Sequence, residues 1–273
     1  MEEPLKTAKE GLGLVGEIIK LAGDNPDAKK AGQNLARTAA TLTQTINTAL
    51  LPLAAVNFAF DRARTYFEEH FRSDITAKTE AIPNENLVEP KASLAGPALQ
   101  GLAFTHEEEN LREMYLNLLA SAMDNRVASD AHPAFVEIVK QLEAQEAEFL
   151  ASVLRVQGVA IAELRQKIPN RDGWDELQTH LLNPRDSSHG HPVEIARLPA
   201  MIDNWIRLGL VVVDYNKHLL GETEYAWVEK RPEYLRFKEK AEANGGSIVI
   251  QKGLLARSSL GKQFAKVVGL VGR

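Results

Sequence analysis

Hydrophobic positions recur at helical spacing along most of this chain. Over 4–22, Leu12, Val15, Ile18, Ile19 and Ala22 share one helix face. Asp24, Asn25 and Pro26 make a turn. Helices follow over 27–50 and 53–71, the second opening at Pro52, where a missing N–H does no harm. Between Thr38 and Phe60 no residue is charged, and Leu42, Ile46, Ala49, Leu50, Leu53, Val56 and Phe60 form a stripe. That run is long enough to cross a bilayer. It also holds five Thr, two Asn, a Gln and a Pro, so the pattern predicts a helical hairpin packed on a protein core. Membrane contact is expected only on activation, if at all.

Residues 72–92 are polar with prolines and read as a linker; a helix follows over 93–104. Thr105 and Glu108 have the spacing of a capping box for the next helix. That helix carries LREMYLNLLASAMDNR, with Leu111, Met114, Tyr115, Leu118, Leu119 and Ala122 on its buried face. His132 and Pro133 then open a helix whose inward residues are Phe135, Ile138, Val139 and Leu142. EAQEAEFLASVL is helical, and VAIAELRQKI, after Gly158, reads as a shorter helix.

A polar insertion over 169–191 precedes a helix over 193–208. LVVVD at 210–214 and ETEYAWV at 222–228 read as strands, then a charged helix, a strand in GGSIVIQ, and a last helix capped by Ser258 or Ser259. Three helices and a hairpin are the order of a winged helix. The fold class expected is therefore α+β, predominantly helical. Its regions are an N-terminal helical hairpin over 1–72, a linker plus central helical region over 73–142, and a winged-helix-like α+β region over 143–273.

Composition narrows the chemistry. Hydrophobic residues make up 44% of 273 and charged residues 25%, ordinary for a globular chain. With no cysteine, thiolate metal sites and cysteine nucleophiles are excluded, and a reducing cytoplasm fits. The acidic start MEEPLK lacks the character of a secretory signal. The net charge of −5 argues against general nucleic-acid coating. It is uneven, however. Residues 229–273 hold ten Lys and Arg against four Glu, a net of +6, which leaves −11 for the remainder.

Candidate reactive groups are sparse. GLGLVG, Gly11 to Gly16, matches a dinucleotide fingerprint formally, but it follows helix rather than strand, so close helix packing is the better reading. His180, His189 and His191 share one polar loop, which reads as solvated and too loose to hold a metal. Glu107, Glu108 and Glu109 suit a helix N-terminus. Lys230, Arg231, Arg236, Lys238 and Lys240, with Tyr234 and Phe237 among them, suit nucleic acid or an anionic surface. Against that, Glu233, Glu239 and Glu242 interleave with them. No catalytic, cofactor-binding or metal-ligating residue is assigned, and no cofactor is expected.

The run LREMYLNLLASAMDNR, then AHPAFVEIVKQLEAQEAEFL, resembles the bacterial abortive-infection alpha (Abi-alpha) family. SLAGPALQGLAF and LLPLAAVNFAFDRARTYF are similar to it as well. The likeness covers 30–150 and, more loosely, 150–235. It implies a role in defence against bacteriophage, with no catalytic activity assigned and no functional residue to transfer. The expected protein is cytoplasmic and non-enzymatic. Its partner is an unidentified protein or a phage-derived trigger, and self-association is admissible. A winged-helix DNA-binding regulator and a membrane-disrupting effector using 38–60 are the alternatives.

Overall fold

The computed structural model describes residues 57–186, 188–221 and 223–271, with 45, 46, 48 and 50 singly before them. The two N-terminal helices, GLGLVG and most of the uncharged 38–60 run lie outside the described residues. Contacts divide the chain into two units: residues up to Glu148 together with Gln263 onward, and 149–262.

The first unit is helical. It contains α1 (Asn57–Glu69), α2 (Phe71–Thr79), α3 (Ala92–Thr105), α4 (Glu109–Ala122) and α5 (Ala134–Lys140). α6 (Ala144–Leu154) leads the chain into the second unit. Helix α4 carries the LREMY run, and nine of its residues, Leu111, Met114, Tyr115, Leu116 and Leu118–Ala122, are buried. This exceeds one amphipathic stripe, because α3 and α5 both pack against α4. Phe135 of α5 meets Phe264 edge-on at 5.6 Å, and Ser121 Oγ donates to the Val267 carbonyl at 3.0 Å. The chain from Gln263 onward, which includes the second half of its last helix, thereby groups with the first unit.

The expected linker at 72–92 is not wholly irregular. Phe71 and Ile75, four apart, bury one face of α2, and Asp74 and Lys78 sit at the ends that suit their charges. The apolar signal is only two residues deep, too thin to stand out among polar neighbours. The remainder is a strap pinned to the end of α4: Val88 N–H donates to the Met123 carbonyl at 2.8 Å. The capping box does not form. Thr105 is still inside α3, and its hydroxyl bonds back to the Gly101 carbonyl at 3.0 Å. His132 lies one residue before the cap position, Pro133, and its Nδ1 accepts the Ala134 N–H at 3.1 Å.

The second unit is built on an antiparallel sheet of order β2-β1-β4-β3: β1 (Gly158–Lys167), β2 (Asp175–Leu181), β3 (Val211–Asp214) and β4 (Ser247–Arg257). Helices α7 (Leu198–Arg207) and α8 (Pro232–Ala243) complete it, and α9 (Ser259–Val267) carries the chain back. VAIAELRQKI, expected as helix, is strand β1, paired with β4 from Gly158 opposite Ala256 to Lys167 opposite Ser247. Its residues favour helix individually. Yet Ala160, Ala162 and Leu164 all enter one core with Leu181, Tyr225 and Val228, which is strand periodicity. Ala160–Leu164 is buried throughout, which hides the alternation a half-buried strand displays.

Two further expectations change. ETEYAWV is not a strand: the described residues Thr223–Trp227 are turn, leading into a 3-10 turn at Val228–Lys230. Tyr225 and Val228 both reach the core, and the Tyr225 hydroxyl donates to the Gly253 carbonyl at 2.7 Å. The polar insertion contains β2, where Leu181 is the buried residue. The fold is α+β as expected. The helix order on which the winged-helix detail rested is not the order these residues form.

Tyr115 sets a tight constraint in the first unit. It is fully buried, its hydroxyl has no partner among the described residues, and a Cβ on Gly101 would lie 2.3 Å from that oxygen. Burial, and secondarily Glu137, pushes the Tyr115 hydroxyl pKa well up. Gly101→Ala is expected to cost about 1–3 kcal/mol by overpacking. Tyr115→Phe, which removes an unpaired polar atom, should leave stability unchanged or raise it. The double variant should recover part of the Gly101→Ala loss. Urea unfolding of the four proteins measures this.

Candidate functional site

The residues that sequence reasoning marked as chemically interesting lie mostly in the second unit, and several are tied to specific neighbours. His180 ends β2 with φ +53. Tyr215, just after β3, stacks on it with ring centroids 6.1 Å apart and interplanar angle 11°. The Tyr215 oxygen accepts the His180 backbone N–H at 3.0 Å, which directs the phenol proton to His180 Nδ1, also at 3.0 Å. His180 Nε2–H then donates to Asp203 Oδ1 of α7 at 3.1 Å. Burial first pushes the Tyr215 pKa up to about 12, so the phenol stays protonated at neutral pH. The chain of bonds holds β2, β3 and α7 together. It also separates His180 from His189 and His191, which stack on each other at 5.8 Å. Among the described residues no group of three His, Asp or Glu can hold a metal.

On the same sheet, Glu163 is buried beside the Arg165 guanidinium, which also donates to Gln251 Oε1 at 3.2 Å and lies 4.4 Å over the Trp174 ring. Gln251 donates to the Tyr215 carbonyl at 2.8 Å. Gly253 permits this arrangement, since a Cβ there would come 2.5 Å from the Tyr215 ring.

The loop carrying His189 and His191 is ordered by bonds rather than loosely solvated. Asp186 accepts the backbone N–H groups of Ser188, His189 and His191, and Arg185 Nη1 donates to the Gly190 carbonyl at 2.8 Å. Those bonds, the His189 N–H first, hold the Asp186 carboxyl below the usual range. Arg231 closes the loop at its base, donating to the Pro184 carbonyl at 3.2 Å and the Val193 carbonyl at 2.8 Å. Its side chain is 1% exposed and is paired in two places with Glu233, 3% exposed.

Arg231 was among the basic residues that suggested a nucleic-acid surface. Arg236, another, is bidentate to Glu194 at 2.7 and 2.9 Å, which depresses the Glu194 pKa. Lys238 lies 3.9 Å from Glu242. Three of the five cations on the 229–243 segment are thus matched by carboxylates, and one is buried outright. In the first unit, Tyr66 stacks on His106 at 5.0 Å and donates to Asp74 Oδ2 at 2.9 Å; burial first raises its pKa.

Sequence reasoning missed a cleft. It measures about 500 Å³ and lies wholly within the second unit, walled by Phe149, Val153, Leu182, Leu198, Trp205 and Trp227 among others. Among the described residues, four buried side-chain atoms have no hydrogen-bond partner, and two of them, Trp205 Nε1 and Asn183 Oδ1, belong to residues lining this cleft. Trp205 is 0% exposed and follows Leu198, Met201 and Ile202 on the buried face of α7. Its helical spacing announces core; nothing in the sequence announces an idle donor.

Arg231→Met strands the Glu233 carboxylate and is expected to cost about 3–5 kcal/mol of stability. Arg236→Ala, at a half-exposed pair, should cost at most about 1 kcal/mol. Chemical denaturation of both separates the two. Asp186 makes a pH prediction. Its folded pKa is depressed, so its contribution is full above the ordinary aspartate range and is lost as pH falls through the folded value. Asp186→Asn should flatten the acid limb of a melting-temperature profile and leave its neutral region shallow.

No curated protein and no solved structure matches the chain. A family model described as abortive infection alpha matches residues 63–268, which is most of the sequence. It spans the α4 helix, both units and the cleft. The chain belongs to the abortive infection alpha family.

Proposed function

We propose that this protein serves abortive infection by binding, as a sensor or effector that works through contact and not through bond-making. Family membership supports the defence role. One observation carries the contact reading: the ionisable clusters of the second unit described above close on themselves. His180 lies between Tyr215 and Asp203, Arg231 with Glu233, Arg236 with Glu194, and Asp186 with its own loop amides. The Tyr215 phenol, raised by burial, is a poor nucleophile at neutral pH. Among the described residues no helix is long and apolar enough to cross a membrane.

The test is a phage panel on cells with and without the gene. At low multiplicity the carrier culture should survive; at high multiplicity infected cells should die with a reduced burst. Unchanged plaquing and survival across the panel contradict the defence role. His180→Gln, Asp203→Asn and Tyr215→Phe should each keep protection, provided the purified variants melt normally. Loss of protection in a stably folded variant of this set contradicts the contact reading.

A further inference from the structure

We infer that the second-unit cleft receives Leu220 from a second copy of this chain, so that two copies pair about a two-fold axis at the 217–224 segment. This rests on the binding reading above and names the partner. Leu220 is 92% exposed, the most exposed large apolar residue among those described. A lone surface leucine needs no explanation, but this one adjoins further apolar surface. Its neighbour Leu219 is part of the cleft wall, as is Glu224, four residues beyond Leu220. Val156, also of that wall, is 44% exposed.

Leu220 is held from both sides. Leu219 packs on the sheet core, and its N–H donates to the Tyr225 hydroxyl at 3.0 Å, which itself donates to the Gly253 carbonyl at 2.7 Å. On the other side the Glu224 N–H donates to the Gly221 carbonyl at 3.2 Å, and a Cβ on Gly221 would lie 2.8 Å from the Glu224 side chain. A leucine presented between two tethered neighbours has little left to order on binding, so its burial counts almost in full.

The position of the leucine and the order of charges select the occupant. One stretch carries both the leucine and part of the cleft wall. A two-fold axis beside Leu220 therefore brings each leucine to the other copy's cleft, and every contact is made twice. Run antiparallel against itself about that axis, KHLLGETE sets Lys217 opposite the partner's Glu224. Lys217 is 73% exposed, and its pair with Asp214 at 3.2 Å is a surface pair of little worth, so the ammonium is open to a second carboxylate. An unrelated apolar partner would use the leucine or the cleft. A second copy uses both and matches the charges.

Sedimentation velocity of the purified full chain over a concentration series reads the pairing. The native chain should pass from monomer to dimer as concentration rises. Leu220→Ala should weaken the dimer about a hundredfold, because a two-fold contact loses the leucine twice. Val156→Arg, at the exposed edge of the cleft, should abolish the dimer with little effect on the fold. Lys217→Glu and Glu224→Lys should each fail to pair alone, while an equal mixture of the two should form a dimer, since opposite charges then meet at both contacts. Melting temperatures check that each variant folds, and Leu220→Ala alters a side chain already in water. The inference is overturned if the native chain is monomeric at every concentration, if the dimer survives Leu220→Ala and Val156→Arg unchanged, or if the mixture stays monomeric. A monomeric native chain that binds vesicles or an apolar peptide through Leu220 overturns it as well. A monomeric chain that still protects against phage removes the two-fold contact and leaves the defence role standing.

Discussion

A guanidinium with 1% exposure is tolerable only when its N–H groups find acceptors, and the second unit is arranged around meeting that demand at Arg231. Glu233 supplies the charge, and the Pro184 and Val193 carbonyls supply the rest. Those carbonyls are the two ends of the 184–193 loop, so one side chain both neutralises a buried acid and shuts a loop. Leu182, Asn183 and Pro184 at the loop's base are also wall of the cleft. The position of Asn183, next to Pro184, therefore depends on a buried pair of charges at the base of the loop.

The first unit teaches a different lesson about what a family motif records. Leu111, Met114, Tyr115, Leu118 and Leu119 are all buried between α3 and α5, and Tyr115 fits only because Gly101 has no side chain. Arg112, one of the charged residues of that run, donates to the His106 carbonyl and so ties α4 to the preceding turn. The stretch by which the chain resembles its relatives is thus packing. It specifies a helix that two neighbours can grip. It does not hold a reactive group, which is why likeness along it brings no mechanism.

Much of the helical unit was legible because its apolar residues fall at helical spacing: α3, α4 and the shorter α5 lie where that spacing placed them. The sheet was less legible. Strand β1 mixes Val159 and Ile161 with Ala, Glu, Leu, Arg, Gln and Lys, and burial on both faces erases alternation, so local preference pointed to helix and tertiary contacts prevailed. ETEYAWV failed in the opposite direction, since its alternation was accidental and Tyr225 and Val228 meet the core three residues apart. The His180 cluster was half visible. Sequence gathered it with His189 and His191, whereas its partners, Tyr215 and Asp203, are 35 and 23 residues away. The cleft was not visible at all, because an unpartnered indole N–H is a property of three-dimensional neighbours and leaves no mark on spacing.

What joins these parts is a division between groups that are satisfied and groups that are not. Charged side chains hold elements in place, while the cleft of the second unit is walled mainly by apolar residues. The most direct measurement is phage protection in cells carrying Val156→Arg, with the purified variant's melting temperature as control. The account predicts that protection is lost while the fold is kept. Protection equal to that of the native chain, at equal abundance, would contradict it.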